Sequence, residues 1–353
     1  MNEIYLVMPG EISDKLSKMV EAATLGLDRH IITNPDKIPD LRNKKIVFAV
    51  QLDDLGYNIP LFEILSRISK RGRDALIGSS GVIIINSPNE LYTKSVSQDI
   101  IFKANQMGCR FPGHPLVESI EELKNFRTWQ KHLNLPLDDI AIQMCTKLRK
   151  NFLKDNPKTI KDPKVLVLHA SSHKTSNTLM LWNMIKGHIN NCTIEEYHVE
   201  NGTIVDCKGC LFTTCMHYSE KQSCFYGGVI TKEILPAIER ADAVIWISPN
   251  YNDAISAKLT AVINRMTVLY RRIKFYNKTV FGVIVSGNSG SDSVAKQLIG
   301  AININKGFRL PPYFAISAIA NDPGDIMKVN DIEHIVKEFA ENVMNEIKED
   351  VSE

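Results

Sequence analysis

Between Ser171 and Thr178 the chain sets out five hydroxyls, one amide, one imidazole and one ammonium: Ser171, Ser172, His173, Lys174, Thr175, Ser176, Asn177 and Thr178. The run follows an uninterrupted apolar stretch, 165–168, and precedes an amphipathic pattern from Leu179. A strand that empties into such a loop, with a helix beginning just beyond it, gathers free backbone N–H groups and the positive end of a helix dipole at one point. That is a cradle for an anion, and a phosphate is the natural occupant. Helix capping needs one such residue and leaves the others to be accounted for.

Two further loops share this character. Ser248-Pro249-Asn250-Tyr251-Asn252-Asp253 closes another apolar run; Tyr251 could cover the face of a flat ring, while Asn250 and Asn252 could meet its polar edge. Ser286-Gly287-Asn288-Ser289-Gly290 closes a third, and its glycines let backbone approach a planar ligand closely. A phosphate cradle beside two loops that could line a flat ring points to a phosphorylated cofactor, and a flavin needs loops of this kind. A different chemistry is suggested by Cys207, Cys210, Cys215 and Cys224, spaced C-x2-C-x4-C-x8-C. Four thiols so close could hold a [4Fe–4S] cluster or a zinc ion, form a redox pair at Cys207 and Cys210, or be core thiols without metal. No Ser/His/Asp or paired-carboxylate spacing stands out, so the catalytic residue is left unknown.

The elements that must carry these loops follow from the apolar pattern. Strands are expected at 165–170, 194–199, 243–249, 279–286 and 314–319. Helices are expected at 177–189, 229–240, 254–270, 292–305 and 331–348; in the last, Ile332, Ile335, Val336, Phe339, Val343, Met344 and Ile347 share one face. Strict alternation of five strands with five helices predicts an α/β, flavodoxin-like, doubly wound parallel sheet of order 2-1-3-4-5, which binds ligands beyond the carboxyl ends of its strands.

The first half reads as a reduced, degenerate copy of the same fold. A shift of 199 residues lays 47–50 on 246–249, Asp53-Asp54 on Asn252-Asp253, 82–85 on 281–284, and Gly108-Cys-Arg-Phe-Pro112 on Gly307-Phe-Arg-Leu-Pro311. The first strand obeys a shift of 161, which leaves 38 extra residues in the second half, and these hold the four cysteines. After its first strand the first copy has Pro9-Gly-Glu-Ile-Ser-Asp-Lys15, which carries acids and lacks the hydroxyl cluster. The domains are therefore expected at 1–153, without a phosphate loop, and at 165–353, binding flavin mononucleotide (FMN). The lysine- and proline-bearing 154–164 forms the linker.

The bulk numbers agree with two cored domains: 353 residues, 44% hydrophobic, 23% charged, net charge +2. Near-neutral charge gives no call for a nucleic-acid or membrane partner. With no signal-peptide pattern and no spanning apolar run, a cytoplasmic location is expected, with thiols mostly reduced.

The set resembles a known family. Ala170 to Thr178 is similar to the Gly-Ser-Pro-Arg-x-x-Gly-Asn-Thr phosphate loop of the NADPH-dependent FMN reductase and iron–sulfur flavoprotein families. Ser248-Pro-Asn-Tyr251 followed by Ala257-Lys-Leu and Ile263-Asn-Arg265 looks like their third-strand signature, and Cys207-Lys-Gly-Cys210 like their cysteine segment. The likeness spans about 165–320; the first domain resembles the N-terminal halves of two-domain clostridial-type oxidoreductases. Ala170, Ser172 and Ser176 replace glycine, proline and glycine of the loop, and the cysteine spacing is wider than the family's compact one. The resemblance implies a flavoprotein oxidoreductase that passes electrons from NAD(P)H through FMN to a small-molecule acceptor (quinone, nitro or azo compound, flavin, metal) or to a redox partner protein. The alternative it implies is an electron carrier with a cluster at the four cysteines. A homodimer is an allowed assembly. NADPH in place of NADH would call for a cation at the 2′-phosphate, for which Lys174 and Arg265 are the candidates.

Overall fold

The computed structural model describes residues 3–157, 160–171, 175–200 and 204–348. The chain divides into two compact units, Met1–Asn156 and Pro157–Glu353. No helix among the described residues is long and apolar enough to cross a membrane.

The first unit runs β1 (Glu3–Val7), α1 (Asp14–Thr24), β2 (Asp28–Ile32), β3 (Lys45–Gln51), α2 (Ile59–Ser69), β4 (Ser80–Ser87), α3 (Thr93–Asn105), β5 (Leu116–Ile120), α4 (Arg127–Leu133) and α5 (Leu137–Lys154). The second runs β6 (Lys164–His169), α6 (Asn177–Lys186), β7 (Thr193–His198), α7 (Phe212–Glu220), α8 (Leu235–Arg240), β8 (Ala243–Pro249), α9 (Ala257–Arg272), β9 (Thr279–Ser286), α10 (Ser291–Leu298), β10 (Ala315–Ile319) and α11 (Ile332–Ile347). Both sheets are parallel and five-stranded, ordered β2-β1-β3-β4-β5 and β7-β6-β8-β9-β10, which is the flavodoxin-like order in each unit.

The central strands β3, β4, β8 and β9 are apolar along most of their length because helices cover both faces. In the second unit, α6 and α11 close one face: Leu181, Trp182 and Ile185 meet Val336, Phe339 and Val343 over Val167, Ile245 and Val283. In the first, α1 and α5 do the same with Leu16, Met19, Cys145 and Leu148 over Leu6, Val47 and Ile84.

Backbone hydrogen bonds show the repetition directly. Ser80 bridges Arg110 as Thr279 bridges Arg309. Ile83 N donates to Pro115 O as Gly282 N donates to Phe314 O, so the 199-residue shift holds for β4, β5, β9 and β10. It does not hold for the third strand. Leu52 N donates to Asn86 O, and its counterpart is Asn250 N to Val285 O, so β3 maps onto β8 with a shift of 198. Two apolar runs slide past each other by one residue at no cost to their pattern, and only the ladder fixes the register. Tyr5 pairs with Ile46 as Leu166 pairs with Val244, so the first strand keeps its shift of 161. Offsets of 198 and 161 leave 37 extra residues in the second unit.

That segment contains α7, a helix absent from the sequence reading, whose nine residues bury only Ser219 and so show little apolar periodicity. Two expected helices are also partly π-helical, over Ile230–Ile234 and Ile299–Ile304. A π turn carries one extra residue. The second one restores the 199-residue shift after α10, whose start lies 198 residues from that of α3.

Candidate active site

The second unit's rim, where β6, β8 and β9 end, is built by three loops. β6 hands over to α6 through 170–176. Ser176 caps α6 by accepting from Leu179 N at 3.4 Å. Asn177 lines the cleft and also braces the fold: Nδ2 donates to the carbonyls of Ala320 (3.2 Å) and Asp322 (2.8 Å), and Oδ1 accepts from the amides of Gly324 (3.0 Å) and Ile326 (3.3 Å). Thr178 is buried in the first turn. Ser172, His173 and Lys174 lie outside the described residues.

Pro249 is the last residue of β8. Asn250 joins the second loop to the third: its Nδ2 meets Asp253 Oδ1 (3.2 Å), Ser286 Oγ (3.1 Å) and the Ser289 carbonyl (2.8 Å). Tyr251 and Ala254 close a tight turn that puts Asn252 and Asp253 in the left-handed region, at φ 53° and 58°. Asp253 is then pressed onto Gly290 (φ 84°), where a Cβ would stand 1.8 Å from its Oδ1. Gln297 fixes the turn from outside, donating to Asp253 O (2.7 Å) and accepting from Ile255 N (3.1 Å). In the third loop Ser286 Oγ lies 2.6 Å from Ser291 Oγ, Asn288 accepts from Ser289 N, and Gly287 lies against Asn321. Asn250, Asp253 and Ser286 thus hold the loops together, while Tyr251 stands 59% exposed.

Between the first two loops opens a cleft of about 530 Å3. Ser171, Thr175 and Ser176 line one side, Tyr251, Ser256 and Lys258 the other, with Asn321 completing it. The 171 side ends at the start of α6 and the 256 side at the start of α9, so two helix N-termini converge there. Ser171 and Ser256 are 7% and 5% exposed, and their Oγ atoms are buried without a hydrogen-bond partner among the described residues. Ser256 is the residue before α9 yet does not cap it. Buried hydroxyls are rarely left unpaired, so two in one cleft mark where a polar ligand belongs. Lys258 and Tyr251 are the titratable groups among the described residues that line it. The donor set fits FMN: hydroxyls, helix N-termini and one ammonium for a phosphate, and an exposed tyrosine for a ring.

Ser256 and Asn321 were missed by the sequence reading, and Lys258 entered it only within the Ala257-Lys-Leu signature. Ser256 was hidden because the helix was expected from 254 and begins at Ala257; nothing marked Asn321, which arrives from beyond β10. Behind the cradle, His169 and His198 stack with centroids 4.9 Å apart. Burial pushes His169 below the ordinary imidazole value, and the neighbouring His198 adds to this; the Ser171 carbonyl at 3.2 Å opposes it.

Arg265 does not fit a 2′-phosphate. It is 2% exposed and is spent on the carbonyls of Val205 (3.2 Å) and Gly227 (2.6 Å) and on Thr231 Oγ1 (2.8 Å), fastening the cysteine-bearing segment to α9. The metal expectation finds no support either. Cys207, Cys210, Cys215 and Cys224 are free thiols bordering one cavity of about 120 Å3. Among the described residues, however, no three His, Cys, Asp or Glu side chains form a metal-binding group. Cys207 and Cys210 precede α7, Cys215 lies within it and Cys224 follows it.

Residues 163–321, which lie within the second unit, match the family described as NADPH-dependent FMN reductase. Similar solved structures include the NAD(P)H:quinone oxidoreductase from Methanothermobacter marburgensis (16% identity, 52% of this chain and 97% of that one, TM-score 0.39). An azoreductase from Bacillus anthracis str. Sterne shares 14% identity over 52% and 97% of the two chains, with a TM-score of 0.37. The Trp repressor binding protein from Bacillus subtilis shares 14% over 50% and 99%, with a TM-score of 0.36. No curated protein matches the chain.

Proposed function

We propose that the second unit binds FMN in the Ser171–Ser256 cleft and passes electrons from NAD(P)H to a small oxidised acceptor, a quinone, nitro or azo compound, flavin or metal ion. FMN held there would supply the hydride- and electron-transfer chemistry. The protein supplies the site. Ser171, Thr175, Ser176 and the first turn of α6 hold the phosphate, with Ser256, the start of α9 and Lys258 facing them. Tyr251 borders the ring. Asn250, Asp253 and Gln297 keep the Tyr251 turn rigid, so the ring edge meets a preformed wall.

The observation that carries this reading is that Ser171 and Ser256, whose buried Oγ atoms have no partner among the described residues, line one cleft between two helix N-termini. The test is flavin titration of the full chain. FMN should bind with quenched fluorescence, riboflavin without the phosphate far more weakly, and Ser171→Ala should weaken FMN about fivefold, the worth of one hydrogen bond (~1 kcal/mol). A folded protein that retains no FMN sinks the reading. NADPH and NADH oxidation compared over quinone, nitro and azo acceptors then assigns donor and acceptor. Iron and sulfide analysis of anaerobically prepared protein decides against or for the electron-carrier alternative.

A further inference from the structure

We propose that the cavity bordered by the four cysteines takes a small flat electrophile of the quinone class, and that Cys210 forms a covalent bond to it. The cavity lies between α9 and the segment that the second unit has and the first lacks, and holds about 120 Å3. That is the order of space that accepts one six-membered ring (a cavity of about 150 Å3 takes benzene). Its walls suit such a ring. Tyr218, Phe225 and Tyr226 stand edge to face in series, with centroids 5.5 and 5.1 Å apart, and Val268 adds an aliphatic side. Among the described residues no aspartate or glutamate lines the cavity, while Lys208 and Arg271 do, so a ring oxygen that gains negative charge there is met by cations.

The four thiols are free, and they differ in access: Cys207 and Cys210 are exposed, Cys215 and Cys224 half-buried. Cys207 also borders an open groove along α9. Cys210 is hydrogen-bonded to the Tyr226 hydroxyl. Desolvation, then Cys210, with Cys224 and Cys207 behind it, holds the Tyr226 phenol above its ordinary value, so the hydroxyl keeps its proton and stays a donor. An accessible thiol, a phenol proton beside it and a flat apolar slot are the parts that conjugate addition needs.

In that step the Cys210 sulfur bonds to one carbon of a ring C=C. The electron pair of that double bond shifts to the conjugated carbonyl oxygen, and the thiol proton reaches this oxygen through the Tyr226 hydroxyl. The hydrogen on the attacked carbon then moves to the second carbonyl oxygen, and the ring becomes a hydroquinone joined to sulfur. The quinone is reduced as the C–S bond forms, so no further oxidant or reductant takes part. A hydroquinone already holds those electrons and offers no carbon to attack.

The experiment follows p-benzoquinone adding to the full chain, without NAD(P)H, by intact mass and peptide mapping, with hydroquinone and iodoacetamide in parallel arms. The mass of one quinone is expected on Cys210, at a rate that saturates as quinone rises, because the ring binds before the bond forms. Hydroquinone should add nothing, and iodoacetamide, which has no ring, should label without saturating. Phe225→Ala should raise the half-saturating concentration roughly fivefold, and Tyr226→Phe should slow the saturated rate roughly tenfold. Cys210→Ser should abolish the saturable adduct; far-UV circular dichroism, unchanged in all three variants, shows that the unit is folded. Cys207 labelled as fast as Cys210, a rate linear in quinone throughout, loss of two hydrogens as a disulfide in place of an adduct, or indifference to both Phe225→Ala and Tyr226→Phe overturns the proposal. The result stands apart from the flavin reading, because the step needs neither FMN nor NAD(P)H.

Discussion

The same rim is closed in the first unit and open in the second. In the first, Gln51 at the end of β3 sits between its neighbours: its Oε1 accepts from Ser13 N (3.3 Å), Ser13 Oγ (2.9 Å) and Asn86 Nδ2 (3.1 Å). Asn86 Oδ1 in turn accepts from Ser119. Asn58 caps α2, accepting from Leu61 N at 3.0 Å, and reaches across to the carbonyls of Pro9 (3.3 Å) and Gln51 (2.9 Å). By the shifts the ladders fix, the second unit has Pro249 for Gln51, Val285 for Asn86, Ala318 for Ser119 and Ser256 for Asn58. The polar plug is gone, and in its place are a cleft and two hydroxyls without partners among the described residues. A ligand site here is made by subtraction: the fold that satisfies itself with an amide network in one copy leaves the same positions unsatisfied in the other.

The largest effect should come from putting the plug back. Ser256→Asn restores the side chain that caps α2 and reaches the opposite loop. FMN affinity is expected to fall about a hundredfold (~2.7 kcal/mol) while resistance to urea rises, as N-capping of α9 is gained. Unchanged FMN affinity would mean that the cleft is not the flavin site; lower affinity with lower stability would mean only that the unit is damaged.

Next comes the tie between the first helix and the sheet's far edge. In the second unit Asn177 makes it with four hydrogen bonds, buried; in the first, Lys15 Nζ reaches Glu121 O (2.8 Å), the counterpart of Ala320 O, from a more exposed position. Asn177→Ala should cost about 2 kcal/mol, since it strands buried backbone groups, and Lys15→Ala well under half of that. Hydrogen exchange read separately over β6–β8 and β1–β3 measures both. Equal losses would show that burial does not set the difference. Asn58→Ser is the smaller counterpart in the first unit: it keeps an oxygen for the cap but loses the two donations, at a cost of about 1 kcal/mol, with FMN binding untouched.

How much of this was legible before the fold was known follows the physics. Central strands read correctly because they are buried on both faces and hence continuously apolar, and α11 because its period is strong. The anion cradle read as a run of hydroxyls and one amide; that the Asn177 side chain is also tied to the loop after β10 was not legible, since sequence gives a side chain's donors and not their direction. Ser256 and Asn321 come to the cleft from separate loops, a matter of topology. The self-satisfied rim of the first unit was read only as a missing hydroxyl cluster; that Gln51, Asn58 and Asn86 meet there depends on strand register, which the sequence alone misplaced by one residue at β3.

The smallest expected difference is one of acidity. β6 ends in His169, stacked on His198, where β1 leads into Met8 at the matching position. His169 is held below the ordinary imidazole value by burial, then by His198, with Glu196 opposing from β7 alongside the Ser171 carbonyl. Glu200 lies 3.2 Å from His198 Nδ1 and bears on the pair from the other side. In the unfolded chain His169 takes its proton near pH 6.5; in the fold it takes it at lower pH. Below about pH 6.5 the unfolded state therefore binds more protons, and the second unit loses stability as pH falls, by less than ~1.4 kcal/mol per pH unit for this one group. His169→Met copies the first unit's residue and should remove that part of the slope. Hydrogen exchange over β6 at two pH values, with β1 as the internal reference, makes the measurement; a slope unchanged in His169→Met would place the acid sensitivity elsewhere in the rim.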